Sequence, residues 1–238
     1  MRYIIITTPF SGANHIAENL FNLMKQWYGC RKFLHSFLNV KHKEDVVYLD
    51  GTIYYEYQYN FENTKWFQFK RILHDSIDKK IQFLLNSPNH LITLHIDKNL
   101  QVEIKHLPIL FNDLGYTPIF IERKNKLHQI LAYVNFSVTH QSDRIPYFSE
   151  MFKTLIDKLK EFKDLKKTIN GKTIYYEDFV ALGADENALI QLLNLDNKPF
   201  TPANIENRFF EFTEDNIIPG KKWREDREEI LALIAEIG

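Results

Sequence analysis

An α/β fold, with a central, mainly parallel sheet flanked by helices in three layers, is the fold class this sequence predicts. Short apolar runs at positions 3–6, 90–96 and 117–122 have the length and β-branched content of strands buried on both faces. Stretches with helical spacing separate them, and strands that alternate with helices pair in parallel because the crossover needs the helix. The 238 residues, 45% hydrophobic and 26% charged, suffice for one core. No linker, repeat or low-complexity segment interrupts them, so residues 1–238 read as a single domain.

The elements follow in order. Positions 3–8 form the first strand, and 16–28 a helix with Leu20, Leu23 and Trp27 on one side, ending near Gly29. Residues 46–49 are a short strand closed by the turn pair Asp50-Gly51, and 53–59 is aromatic and β-prone. Helical spacing over 66–85 leads into the buried strand 90–96. Residues 102–114 read as helical, broken or restarted at Pro108 and stopped by Gly115. After the strand 117–122 come helices from 126 to about 136 and over 146–162. A strand at 171–176, a short helix at 186–193, a looser stretch at 196–219 and a helix at 224–237 complete the pattern.

Charge and composition remove several function classes. A net charge of −1 provides no broad field for nucleic acid or an anionic membrane. No run approaches the ~20 apolar residues of a membrane span. The apolar opening at 3–6 is too short for a signal-peptide core. The single cysteine, Cys30, excludes an internal disulfide and has no CxxC partner for zinc. The expectation is a soluble, cytoplasmic protein that contacts neither nucleic acid nor membrane.

The chemistry begins where the first strand meets the first helix, at Pro9-Phe10-Ser11-Gly12-Ala13-Asn14-His15. The first N–H groups of a helix lack intrahelical partners and carry partial positive charge, so this junction suits an anion. Gly12 admits close backbone approach, and Ser11 and Asn14 add donors. Ser11 also fits a plain N-cap. With one glycine and no lysine, the segment is no Walker A loop.

Thr8-Pro9-x-Ser11-Gly12 resembles the 5′-phosphosulfate loop T-x-P-[KR]-S-G-[TS]-[TN] of sulfotransferases that use PAPS (3′-phosphoadenosine 5′-phosphosulfate), with Phe10 at the basic position. Three later segments are similar to the same family, in its order. The run from Phe120 to Gln129 resembles its 3′-phosphate segment, Arg123 matching the arginine and Ala132 standing where the serine is expected; Ser137 lies further on. Thr173-Ile174-Tyr175-Tyr176-Glu177-Asp178-Phe179-Val180, followed by 186–193, resembles R-Y-E-D-L-v and its helix. Paired carboxylates invite an acid–base reading, but the family implies that Glu177 and Asp178 are structural. Gly220-Lys221-Lys222-Trp223-Arg224 resembles the family's G-[RK]-W-[RK] ending. Residues 30–90 have no counterpart.

The resemblance is to divergent bacterial or phage members, and it implies a P-loop-like three-layer fold. It implies sulfuryl transfer from PAPS to a hydroxyl or amine of a small-molecule or glycan acceptor, without a metal. Pro9, Ser11, Gly12, Ala13, Asn14 and His15 would hold the phosphosulfate; Arg123, Gly220, Lys221, Lys222 and Arg224 would hold the nucleotide phosphates. Leu91-Ile92-Thr93-Leu94-His95 lies on the family's K-T-H strand end, making His95 the candidate base with Thr93 in the lysine's place. The same alternation also suits a hydrogen-bonded core. Lys98 is the first choice for the cation that Phe10 does not supply, and the aromatic segment 54–69 for acceptor contacts or core. The alternatives are a non-catalytic sulfotransferase-like nucleotide-binding protein and a nucleotide kinase-like P-loop enzyme.

Overall fold

Three consecutive isoleucines, Ile4, Ile5 and Ile6, are fully buried at the centre of the molecule. Each withdraws a branched side chain from water, worth roughly 1.5–3 kcal/mol. They belong to β1 (Arg2–Thr7). The computed structural model describes residues 2–30, 32–34, 46–49, 52–55, 77–86, 90–96, 106–140, 148–203, 205 and 220–237.

The chain runs β1, α1 (Ala13–Tyr28), β2 (Lys32–Leu34), β3 (Val46–Leu49), β4 (Thr52–Tyr55), α2 (Ile77–Asn86), β5 (His90–His95). It continues through a π-helical turn (Ile109–Asp113), β6 (Tyr116–Glu122), α3 (Lys126–His140), α4 (Phe148–Thr168) and β7 (Lys172–Tyr175). Three further helices close it: α5 (Tyr176–Ala181), α6 (Glu186–Leu193) and α7 (Gly220–Ile237). The described strands form one sheet in the order β4-β3-β2-β5-β1-β6-β7. The five strands from β2 to β7 in that order are all parallel, whereas β3 and β4 add an antiparallel edge.

Alternation along β1 divides the core. Tyr3 and Ile5 face α1, α5 and α6, among Ile16, Leu20, Phe179 and Leu189. Ile4 and Ile6 face the opposite layer, with Leu84 of α2, Leu110 and Phe162 of α4. The three-layer arrangement follows. A further cluster joins Ile130 and Leu131 of α3, Leu155 and Leu159 of α4, and Ile230 and Ile237 of α7. No described helix is long and apolar enough to cross a membrane.

Several elements differ from the sequence expectation for local reasons. α1 begins at Ala13 because Gly12, at φ 86, serves as its N-cap. Its other end is a left-handed Gly29, with Cys30 N–H donating to Met24 carbonyl at 3.1 Å. Pro108 precedes not an α-helix but the π-helical turn, closed by Leu114 N–H on Ile109 carbonyl at 2.9 Å. Tyr176 starts α5 instead of ending β7, and Glu177 and Asp178 favour that helix by lying in its first turn. α7 begins at Gly220, four residues before the expected start. The expected turn Asp50-Gly51 and residues 66–76 and 102–105 lie outside the described residues.

Residues 196–203 take no regular structure, yet α1 holds them. Gln26 exchanges two hydrogen bonds with the Thr201 backbone, at 2.7 and 2.8 Å. Buried Glu186 accepts from Asn22 at 2.7 Å and from Ala203 N–H at 2.8 Å. The C-terminal part is thereby tied to the helix that carries the candidate loop.

Candidate phosphate-binding site

The carboxyl ends of β1, β5 and β6 lie side by side. Thr7 pairs in register with His95 on one side and Ile121 on the other, and Ile96 N–H donates to Thr7 carbonyl at 2.7 Å. This edge is where parallel sheets place ligands.

Residues 8–12 turn β1 into α1, and the turn is held from several sides. Thr7 Oγ1 is hydrogen-bonded to Ser11 Oγ and lies 3.3 Å from Ile121 carbonyl and 3.2 Å from Thr8 carbonyl. A threonine hydroxyl has one proton. Thr7 can therefore donate to only one of its three oxygen neighbours, and either hydroxyl can be the donor between Thr7 and Ser11. Ser11 is buried in this contact and does not cap the helix; Gly12 occupies the N-cap with no side-chain hydrogen bond. The first turn carries no acidic residue either, so its positive end is not neutralised locally.

Phe10 sits at φ 59, a left-handed conformation unusual for a non-glycine residue. Its ring meets Tyr133 of α3 edge-on at 5.5 Å. One turn earlier on α3, the Gln129 amide donates to Thr8 Oγ1 at 2.9 Å and to Pro9 carbonyl at 2.7 Å. Pro9 carbonyl can only accept, which fixes the nitrogen on that side. Gln129 is fully buried, and its carbonyl oxygen has no hydrogen-bond partner among the described residues. Such an unmet acceptor costs about 1–3 kcal/mol.

Gly12 has a steric requirement. A Cβ there would stand 2.2 Å from Cδ2 of Tyr176. The Tyr176 hydroxyl is 3.1 Å from His15 Nδ1, and the Arg123 guanidinium lies 5.1 Å from the Tyr176 ring centre. Tyr176 thus links the start of α1 to the end of β6. Burial lowers the His15 pKa, against a smaller opposing effect of Glu18, and burial raises that of Tyr176. Both are neutral at pH 7. Arg123 is buried, 7% exposed. Burial lowers its pKa, and Glu177 and Tyr176 oppose that.

The cationic run after β6 separates by function. Lys124 pairs with Asp178, and Lys126 lies 3.4 Å from Glu122, which also meets Lys166. Only Arg123 of the three faces Tyr176 beside Gly12. The Glu177 carboxylate accepts the backbone N–H groups of Lys124 at 2.9 Å and Asn125 at 3.2 Å. Glu177 and Asp178 are therefore the clasp of the 123–125 turn.

Pro9, Ser11, Gly12, Ala13, Asn14, His15, Arg123 and the end of β5 bearing His95 are brought to this one edge. Thr93, in register with Ile5, is buried, and His95 is half-buried. Ala132 is buried on α3, which runs unbroken past Ser137 to His140. Gly220, Lys221, Lys222 and Arg224 form the opening of α7, whose later turns pack on α3 and α4. Lys98 and residues 56–69 lie outside the described residues. Gln129, Tyr133 and the Tyr176–Gly12 contact carry no sequence signal, because each joins residues far apart in the chain. No protein-family model matches the chain, and no curated protein matches it.

Proposed function

We propose that this chain is a PAPS-dependent sulfotransferase on a P-loop-like fold, transferring a sulfuryl group to a hydroxyl or amine acceptor. The observation that carries the reading is the N-terminus of α1, which no side chain caps, behind a loop of fixed shape, with Arg123 at the neighbouring strand end. The donors present are of two kinds, backbone N–H groups at the helix start and a guanidinium at the neighbouring strand end. The backbone N–H groups from Gly12 to Asn14 would hold the 5′-phosphosulfate. Arg123 would hold the 3′-phosphate through charge-assisted hydrogen bonds. Lys221, Lys222 and Arg224 are further candidates.

PAPS supplies an activated sulfonate, whose bridging S–O bond breaks as the acceptor atom bonds to sulfur. His95, at the end of β5 beside Thr7, would take the acceptor proton. The helix end would offset charge on the departing phosphate. Phe10 brings no cation to that oxygen; its ring packs on Tyr133. That contact favours the second reading, a nucleotide-binding protein without transfer activity.

Release of adenosine 3′,5′-bisphosphate from PAPS, measured across phenol, sugar and amine acceptors, separates the two. Transfer is expected with at least one acceptor, and His95→Gln should reduce it about 10²–10⁴-fold while leaving bisphosphate binding intact. Tight binding with no release from any acceptor would establish the non-catalytic reading.

A further inference from the structure

We infer that Gln129 is a positioning residue, holding residues 8–10 in the shape that presents the N-terminus of α1 to a phosphate group. This rests on the sulfotransferase reading for the phosphate it names and for the 3′-phosphate as the group that bypasses the loop. Gln129 is fully buried, and its side chain reaches the loop across 121 residues of sequence. An apolar residue would fill the same space without leaving a buried carbonyl oxygen unmet. What a glutamine adds is its NH₂ group, and both contacts of that group fall on the loop, at Thr8 Oγ1 and Pro9 carbonyl.

The place of those contacts is specific. Phe10 is the strained residue of the turn, and strained backbone persists where its surroundings over-determine it. Gln129 fixes the residue before Phe10, Ser11 is fixed after it by Thr7, and Tyr133 receives the Phe10 ring. Gln129 and Tyr133 are four residues apart, so one face of α3 holds the turn at two points. α3 itself starts three residues after Arg123. The helix that fixes the loop thus also fixes the spacing between the loop and Arg123.

The test uses Gln129→Leu and Gln129→Glu in the full chain, with calorimetric binding of adenosine 3′,5′-bisphosphate, adenosine 3′-monophosphate and inorganic pyrophosphate. Both variants should bind the bisphosphate and pyrophosphate about tenfold more weakly, because both lose the amide hydrogen bond to Pro9 carbonyl. The 3′-monophosphate, which does not use the loop, should change less than about twofold. Thr8→Val removes one partner without touching α3 and should give the same selective loss, smaller in size; it decides the matter if the Gln129 variants do not fold. Equal weakening of all three ligands, unchanged binding of the two loop ligands, or no binding of any by the unaltered protein would overturn the role. Pyrophosphate binding without nucleotide binding would end the sulfotransferase reading and leave Gln129 judged on pyrophosphate.

Discussion

Gly12→Ala is expected to destabilise the folded protein by about 2–5 kcal/mol and to abolish phosphate binding with it. Two effects add. At φ 86 an alanine pays the left-handed penalty that glycine escapes, roughly 1–2 kcal/mol. Its methyl would also stand 2.2–2.6 Å from three ring atoms of Tyr176, including Cγ at the root of that side chain. The ring is buried and cannot swing aside without leaving His15 and Arg123. Overpacking of this kind costs about 1–3 kcal/mol. Denaturant unfolding of Gly12→Ala, Tyr176→Ala and the double variant measures it. Tyr176→Ala should cost distinctly less in the Gly12→Ala background than alone. Additive losses would show that the two residues do not meet.

Arg123→Ala should weaken adenosine 3′,5′-bisphosphate by about 1.5–3 kcal/mol, the range for a hydrogen bond to a charged group. Adenosine 5′-phosphosulfate, which lacks the 3′-phosphate, should lose far less. Arg123→Lys should recover only part of the difference, because a lysine keeps the charge but not the planar fork of donors. Titration calorimetry with both ligands reads this directly. Equal weakening of the two would place Arg123 among the groups that merely support the 123–125 turn.

The fold and the candidate site are legible where the signal is continuous in sequence. The strand-turn-helix at 2–28 and the strand ends at His95 and Arg123 announce themselves through short apolar runs followed by polar residues. α6 matches its expected bounds at 186–193, since Asp185 caps Ala188 N–H at one end and left-handed Asn194 closes the other. β2 gives no signal in the sequence, because three residues display no periodicity. The antiparallel pairing of β3 with β4 has no signature in the sequence, although both short strands do. α5 gives no signal either, because Tyr176 and Phe179 in six residues carry no helical signature of their own.

The deeper omissions are non-local. Tyr176 meets His15 across 161 residues, and Gln129 meets Thr8 across 121. A pattern of residue types cannot reveal that a tyrosine ring defines the need for Gly12, or that a glutamine amide completes the loop. The paired carboxylates illustrate the converse. Glu177 and Asp178 invite an acid–base role as a sequence, and the fold engages them with Lys124 and Asn125.

Ligand-dependent stability is the most direct measurement on the cofactor. Thermal unfolding in the presence of adenosine 3′,5′-bisphosphate, AMP or ATP should show the largest stabilisation with the bisphosphate, about 2.7 kcal/mol at 100 times its dissociation constant. Arg123→Ala should remove most of the margin over AMP. No stabilisation by the bisphosphate up to millimolar concentration, or a larger one by ATP, would contradict the assignment of this loop and Arg123 to a PAPS-dependent enzyme.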